Sequence, residues 1–137
     1  FALPGAIGAA LVNPDRPILG IAGDAGFLMN VQEMETAARL GSNITMMVWE
    51  DGAYGLIAWK QWQEFDRHTD LSFGNPDWSA LATAFAWDYQ HVSASGELRA
   101  ALDRARDHRG PSLIVIPIDY RENEKLTERL GKLTCSI

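Results

Sequence analysis

The sequence predicts an α/β protein: a doubly wound parallel sheet with helices on both faces. Three observations carry this expectation. The runs Ile18-Leu19-Gly20-Ile21-Ala22, Ile44-Thr45-Met46-Met47-Val48-Trp49 and Leu113-Ile114-Val115-Ile116-Pro117-Ile118 are almost continuously apolar rather than alternating, the pattern of strands buried on both sides. Segments of helical periodicity separate them, and strand–helix–strand alternation calls for parallel pairing through crossovers. The first two runs each end in a carboxylate followed by small residues, Asp24-Ala25-Gly26 and Asp51-Gly52-Ala53.

In chain order, residues 4–12 read as a short helix whose Gly5, Ala6, Gly8, Ala9 and Ala10 suit close packing. Asn13-Pro14-Asp15-Arg16-Pro17 is a turn, because its two prolines forbid a regular element. Strand 18–22 leads to a helix over 27–40, where Val31, Met34, Ala37, Ala38 and Leu40 recur at helical spacing. Gly41 stands where a C-cap glycine would stop it. Strand 44–49, a helix over 55–64 and an irregular stretch over 65–76 follow. Asp77 caps a helix over 78–86, and Tyr89 to Val92 form a short strand. Ser95 caps a helix over 96–108, whose Leu98, Ala101, Leu102 and Ala105 make one apolar stripe. Strand 112–118 comes last. The polar tail 122–133 sets Leu126, Leu130 and Leu133 along one face.

A chain of 137 residues fits one domain with a single core. Its 18 acids against 12 bases give a net charge of −6, which argues against nucleic acid or an anionic membrane as partner. The basic cluster Arg104-Ala105-Arg106-Asp107-His108-Arg109 reads as the solvated end of a helix, where cations suit the dipole. One cysteine, Cys135, excludes an intrachain disulfide framework and is compatible with a reducing, cytoplasmic setting. No apolar stretch approaches the ~20 residues of a membrane helix. The opening Phe1-Ala2-Leu3-Pro4-Gly5 has neither an initiator Met nor a basic leader, so the chain is expected to be a fragment of a larger protein.

In an open α/β sheet, ligands bind in the crevice beyond the carboxyl ends of the strands. Gly23 allows a sharp turn there, and Ala25 and Gly26 present little side chain where a ligand must come close. The free N–H groups of the following helix favour an anion, and Asp24 can ligate a cation that bridges to it. Alone, Gly23-Asp24-Ala25-Gly26 reads better as a capping turn. Asp51, 27 positions later at the end of the next strand, changes that balance. A right-handed crossover brings both strand ends to one edge of the sheet. Asp51-Gly52 as an ordinary turn and Asp51 as a ligand then stand as equal readings. Glu50 points to the opposite face from Asp51 and takes a structural role.

Gly23-Asp24-Ala25-Gly26-Phe27, with its second acid 27 positions on, resembles the cofactor motif of thiamine-diphosphate-dependent enzymes. Within them the chain is most similar to the acetolactate synthase large-subunit group. Supporting stretches are Phe1-Ala2-Leu3-Pro4 with Ala6-Ile7-Gly8-Ala9-Ala10, Glu33-Met34-Glu35-Thr36-Ala37, Glu50-Asp51-Gly52-Ala53-Tyr54-Gly55, Phe73-Gly74-Asn75-Pro76-Asp77 and Asp119-Tyr120-Arg121-Glu122-Asn123. The resemblance spans nearly the whole chain. It implies a thiamine-diphosphate domain over 1–137 that lacks its N-terminal strand and helix. It also implies Mg²⁺ held by Asp24, Asp51 and the carbonyl of Ala53. The diphosphate would lie on the N–H groups of Ala25 and Gly26 and those near Tyr54 and Gly55. Asp51 stands where many relatives have Asn, and acetolactate synthases of the catabolic type share the acid. Lys60 stands where biosynthetic synthases commonly have Trp.

The implied reaction is decarboxylation of pyruvate and carboligation to a second 2-oxo acid. The activating Glu would come from a pyrimidine-binding domain of the same or a partner subunit, in a homodimer or homotetramer. Glu33 and Glu35 are not that residue, and the chain alone is expected to be inactive. Whether FAD is used is left open, as that pocket would lie in another domain. Rival readings are another thiamine-dependent decarboxylase, carboligase or pyruvate oxidase, a non-catalytic Mg²⁺-diphosphate module, and a generic structural domain. His68, His91 and His108 read as surface or packing residues. Trp59 and Trp62 read as core rather than channel wall, and Trp78 and Trp87 as anchors against the sheet. Residues 65–70 suit either a lid or an ordinary exposed connection.

Overall fold

The computed structural model describes residues 1–120. The apolar face expected on the tail 122–133, and Cys135, lie outside the described residues. Four strands, β1 (Ile18–Gly23), β2 (Ile44–Glu50), β3 (Asp88–His91) and β4 (Ser112–Pro117), form one parallel sheet in the order β1-β2-β4-β3. Around it lie α1 (Ala2–Val12), α2 (Asp24–Leu28), α3 (Glu33–Arg39), α4 (Gly55–Phe65), α5 (Trp78–Ala84) and α6 (Leu98–Asp107), with a 3-10 turn at Ser95–Glu97. The α/β class and the parallel sheet are those expected.

The main core lies on one face. Leu3 and Ile7 of α1, Phe27 of α2 and Met34 of α3 pack on Ile44, Met46 and Val48 of β2 and on Leu113 and Val115 of β4. On the opposite face α6 sets Ala101 and Ala105 against Ile114. That cover stops short of β1, where Leu19 and Ile21 are each 48% exposed. Burial along β1 therefore alternates, although its sequence is uniformly apolar.

The single helix expected over 27–40 is two helices. Met29 and Gln32 keep helical backbone angles, but the N–H groups of Asn30 and Val31 reach back three residues, to Phe27 and Leu28. The Asn30 side chain also donates to the Met29 carbonyl at 2.7 Å, a local competition that ends the first helix while preserving the apolar period. Gly41 does stop α3. Its φ of +57° lets Ser42 N–H reach the Ala37 carbonyl and Gly41 N–H reach that of Ala38, a Schellman closure. The same pair of bonds closes α5 earlier than expected, from Trp87 to Ala82 and from Ala86 to Thr83, with Ala86 at φ +58°. Asp77 caps α5 as anticipated, accepting the Ala80 N–H at 2.9 Å. Ser95 does not cap the next helix: Glu97 Oε2 accepts the N–H groups of Ser93 and Ala94 instead.

Candidate functional site

β1 and β2 run in register from Ile18 opposite Ile44 to Gly23 opposite Trp49, so both strands end at one edge of the sheet. Asp24, the first residue of α2, is 1% exposed there. Its Oδ1 accepts the N–H of Ala25 at 2.8 Å. Its Oδ2 accepts the N–H of Asp51 at 3.2 Å, that of Gly52 at 2.8 Å, and the Asn75 amide at 2.7 Å. Four donors compensate the burial of this carboxylate, as a buried charge requires.

Asp51 is the more open of the two acids. Its Oδ1 accepts the Ala53 N–H at 3.4 Å. A Cβ on Gly55 would stand 2.8 Å from Asp51 Oδ2, so only glycine lets α4 begin this close to the carboxylate. Burial, above all, raises the Asp51 carboxyl above its ordinary value; the neighbouring charge of Asp24 adds to the rise and the Ala53 N–H opposes it. Two carboxylates at one spot suit a cation between them. Glu50 turns the other way, accepting Trp78 Nε1–H at 2.6 Å and the Asn75 amide at 3.1 Å.

The stretch over 65–76 is less irregular than its sequence suggests. Leu71 to Phe73 fold back along 52–54: Tyr54 N–H donates to the Leu71 carbonyl and Phe73 N–H to that of Gly52, flanking an antiparallel bridge between Ala53 and Ser72. The Tyr54 and Phe73 rings meet at 5.2 Å. Gly52, at φ +65°, makes the turn into this bridge.

All eight residues assigned to the site from sequence (Gly23, Asp24, Ala25, Gly26, Asp51, Ala53, Tyr54 and Gly55) line one cavity of about 880 Å³. Sequence reasoning missed others on its wall. Trp59 and Trp62, expected in the core, line it on α4, together with His68, whose ring lies 6.0 Å from that of Trp62. Tyr120 also lines it, its hydroxyl pushed up by burial and then by the charges of Asp51 and Asp24. Tyr120 had surfaced only within a stretch supporting the resemblance; the indoles had a signal in their three-residue spacing. Lys60 is exposed and is not on the wall. Glu35 pairs with Arg39 at 2.9 Å, away from the cavity.

Among the described residues no group of three or more His, Cys, Asp or Glu side chains converges as a metal cage. Two carboxylates beside backbone groups fit Mg²⁺, which takes one or two carboxylates and completes its shell with phosphate oxygens and water. They do not fit the four-ligand cage of structural zinc.

Residues 1–116 match the family model for the thiamine pyrophosphate enzyme, C-terminal TPP binding domain. The chain is 40% identical over 129 residues to the catabolic acetolactate synthase of Raoultella terrigena, covering 94% of this chain and 23% of that protein. It is 36% identical over 137 residues to the acetolactate synthase of Bacillus subtilis (strain 168), covering 96% of this chain and 24% of that protein. The chain thus spans about a quarter of the length of these curated relatives. Its fold is similar to that of the Rhodococcus jostii RHA1 thiamine diphosphate-dependent 4-hydroxybenzoylformate decarboxylase. There the TM-score is 0.82 at 24% identity, over 88% of this chain and 23% of that one.

Proposed function

The chain belongs to the thiamine pyrophosphate enzymes, as their C-terminal TPP-binding domain, and from that premise we propose how it serves an acetolactate-synthase-like reaction. Mg²⁺ is held by Asp24, Asp51 and the carbonyl of Ala53, and the diphosphate rests on the N–H groups of Ala25 and Gly26 and on that of Gly55 beside Tyr54, whose own N–H is taken by the Leu71 carbonyl. The observation that carries this reading is the meeting of the two carboxylates in one cavity, each beside the start of a helix. The bridge to Ser72 adds support. Its bonds use the Gly52 carbonyl and the Tyr54 N–H, so Ala53 directs its own polar groups to the Asp51 side, where its N–H is already engaged.

Bound thiamine diphosphate supplies the carbanion chemistry, here the decarboxylation of pyruvate and carboligation to a second 2-oxo acid. The chain's part is to bind and orient. Asp24 and Asp51 fix the cation, Gly55 keeps the helix start clear, and Trp59, Trp62 and Tyr120 line the cavity wall. The activating Glu belongs to a pyrimidine-binding domain of the same or a partner subunit. In support, α4 has no buried residue: Leu56 is 69% exposed and Trp62 and Phe65, three positions apart on one side of the helix, are 52% and 65% exposed, apolar surface left uncovered by the described residues. The uncovered Leu19 and Ile21 likewise suit the strand and helix that this domain would still need. The whole protein is then a cytoplasmic homodimer or homotetramer, serving either branched-chain amino acid biosynthesis or a catabolic route, with FAD use unassigned.

Calorimetry on the enzyme that contains this chain tests the reading. Thiamine diphosphate with Mg²⁺ should bind the wild type, and Asp24→Ala and Asp51→Ala should each abolish binding. Undiminished affinity in both variants would refute it. The enzyme should also convert pyruvate to acetolactate, whereas the 137-residue chain alone should turn over nothing.

A further inference from the structure

We propose that Asn75 is a positioning residue for the cation: it holds Asp24 with Oδ2 turned into the protein, leaving Oδ1 for the ion. The inference rests on the Mg²⁺ reading above and adds to it a residue and an atom.

Asn75 lies 51 positions beyond Asp24 and touches the site through one atom, Nδ2. That nitrogen donates to Asp24 Oδ2 at 2.7 Å and to Glu50 Oε1 at 3.1 Å. Ionised carboxylates only accept hydrogen bonds, so the amide has one workable orientation here. The flipped amide would press its oxygen against both acids. Held this way, Asn75 leaves its own Oδ1 buried with no partner among the described residues. A buried acceptor left unpaired is a cost, and here it accompanies the grip on two carboxylates.

The consequence for Asp24 is asymmetric. Oδ2 already accepts three donors, from Asp51, Gly52 and Asn75. Oδ1 accepts one, from the adjacent Ala25. A carboxylate oxygen with three donors has no lone pair left to offer, so Asp24 ligates through Oδ1 alone. Single-oxygen ligation suits the compact octahedral shell of Mg²⁺; Ca²⁺ tolerates bidentate carboxylates.

The grip is anchored rather than loose. Glu50 Oε1 also accepts Trp78 Nε1–H at 2.6 Å, and the Trp78 ring packs 6.0 Å from Phe27 on the helix that Asp24 begins. Asp77 caps α5 and so fixes the start of the helix that carries Trp78. The chain of contacts from Asp24 through Asn75, Glu50, Trp78 and Phe27 closes back on α2. Partners that orient a metal ligand in this way commonly contribute 10–100-fold to metal affinity.

The test is Mn²⁺ binding followed by electron paramagnetic resonance, with inorganic pyrophosphate present, on the enzyme containing this chain. The unfolding temperature of each metal-free variant is measured in parallel. Asn75→Ala should weaken Mn²⁺ binding about tenfold or more, and Asp24→Ala should abolish it. Asn75→Ser keeps one donor for two carboxylates and should fall between wild type and Asn75→Ala; it carries the comparison if Asn75→Ala does not fold. Wild-type Mn²⁺ affinity in the Asn75 variants, whatever their unfolding temperature, with Asp24→Ala still unable to bind, overturns the positioning role and leaves the cation site standing. Wild-type affinity in Asp24→Ala overturns both.

Discussion

Asp24 accepts the main-chain N–H of Gly52 at 2.8 Å, so the carboxylate that ends β1 also fastens the turn after β2. The Asp51 N–H reaches the same oxygen at 3.2 Å. One buried acid therefore sets the position of the other, and the pair shares its geometry through the backbone.

Removing that acid should affect folding as well as binding. Asp24→Ala strands the N–H groups of Asp51 and Gly52 and the Asn75 amide. A stranded buried donor costs ~1–3 kcal/mol, and water can reach part of this site, so the expected loss is on the order of 3 kcal/mol. The urea midpoint of the cofactor-free protein measures it. A midpoint equal to wild type would contradict the fastening role.

Gly55→Ala separates binding from stability. The new Cβ would lie 2.8 Å from Asp51 Oδ2 and must displace that carboxylate. Gly55 opens α4 without a positive φ, and alanine there reduces the freedom of the unfolded chain, so the metal-free protein should be no less stable. Affinity for Mg²⁺ with thiamine diphosphate should drop about tenfold, as for other disturbed ligand geometries. Calorimetry beside thermal melting shows whether the two readouts part.

The pH dependence of stability should carry the mark of Asp51. Its native value is raised, so the folded protein binds this proton more tightly than the unfolded chain does. Stability then falls as pH rises from the unfolded value near 3.8 through the higher native value. In metal-free protein Asp51→Asn should melt higher than wild type at pH 7, with the gap narrowing as the pH falls to 4. Parallel melting curves across that range would count against the assignment.

Trp78→Phe keeps the ring against Phe27 but removes the donor to Glu50 Oε1 at 2.6 Å. Among the described residues the carboxylate then keeps only the Asn75 amide, and a loss of ~1–3 kcal/mol is expected. Chemical denaturation of the two proteins gives the difference directly.

Ala86→Gly should stabilise. A non-glycine residue in the left-handed region costs roughly 1–2 kcal/mol, and Ala86 at φ +58° bears that cost to close α5. The net gain, after the added freedom of glycine in the unfolded chain, should be about 0.5–1 kcal/mol. A lower melting temperature would rule out this account of the helix end.

The strands were legible because burial writes itself into the local sequence: Met46 to Trp49 and Leu113 to Ile116 are apolar without a break. The Gly41 stop was legible because only glycine takes that backbone angle freely. The Ala86 closure was not, since nothing in an alanine announces a left-handed turn. Nor was the break at 29–32, because a tight turn of helical residues leaves the apolar period intact.

The same division holds at the site. Asp24 and Asp51 could be paired from sequence because each follows a strand, and parallel neighbours joined by one crossover end at the same edge. Their grouping with Gly23, Ala25, Gly26, Tyr54 and Gly55 followed from the chain's local order, and Ala53 joined them through the family resemblance. Glu50 could be turned away from Asp51 by strand alternation, but its partner Trp78, the Asn75 grip, the Tyr120 wall and the bareness of Leu19 and Ile21 were decided by tertiary structure alone. Those features depend on which distant segments share space, and a periodicity confined to neighbours along the chain holds no record of that.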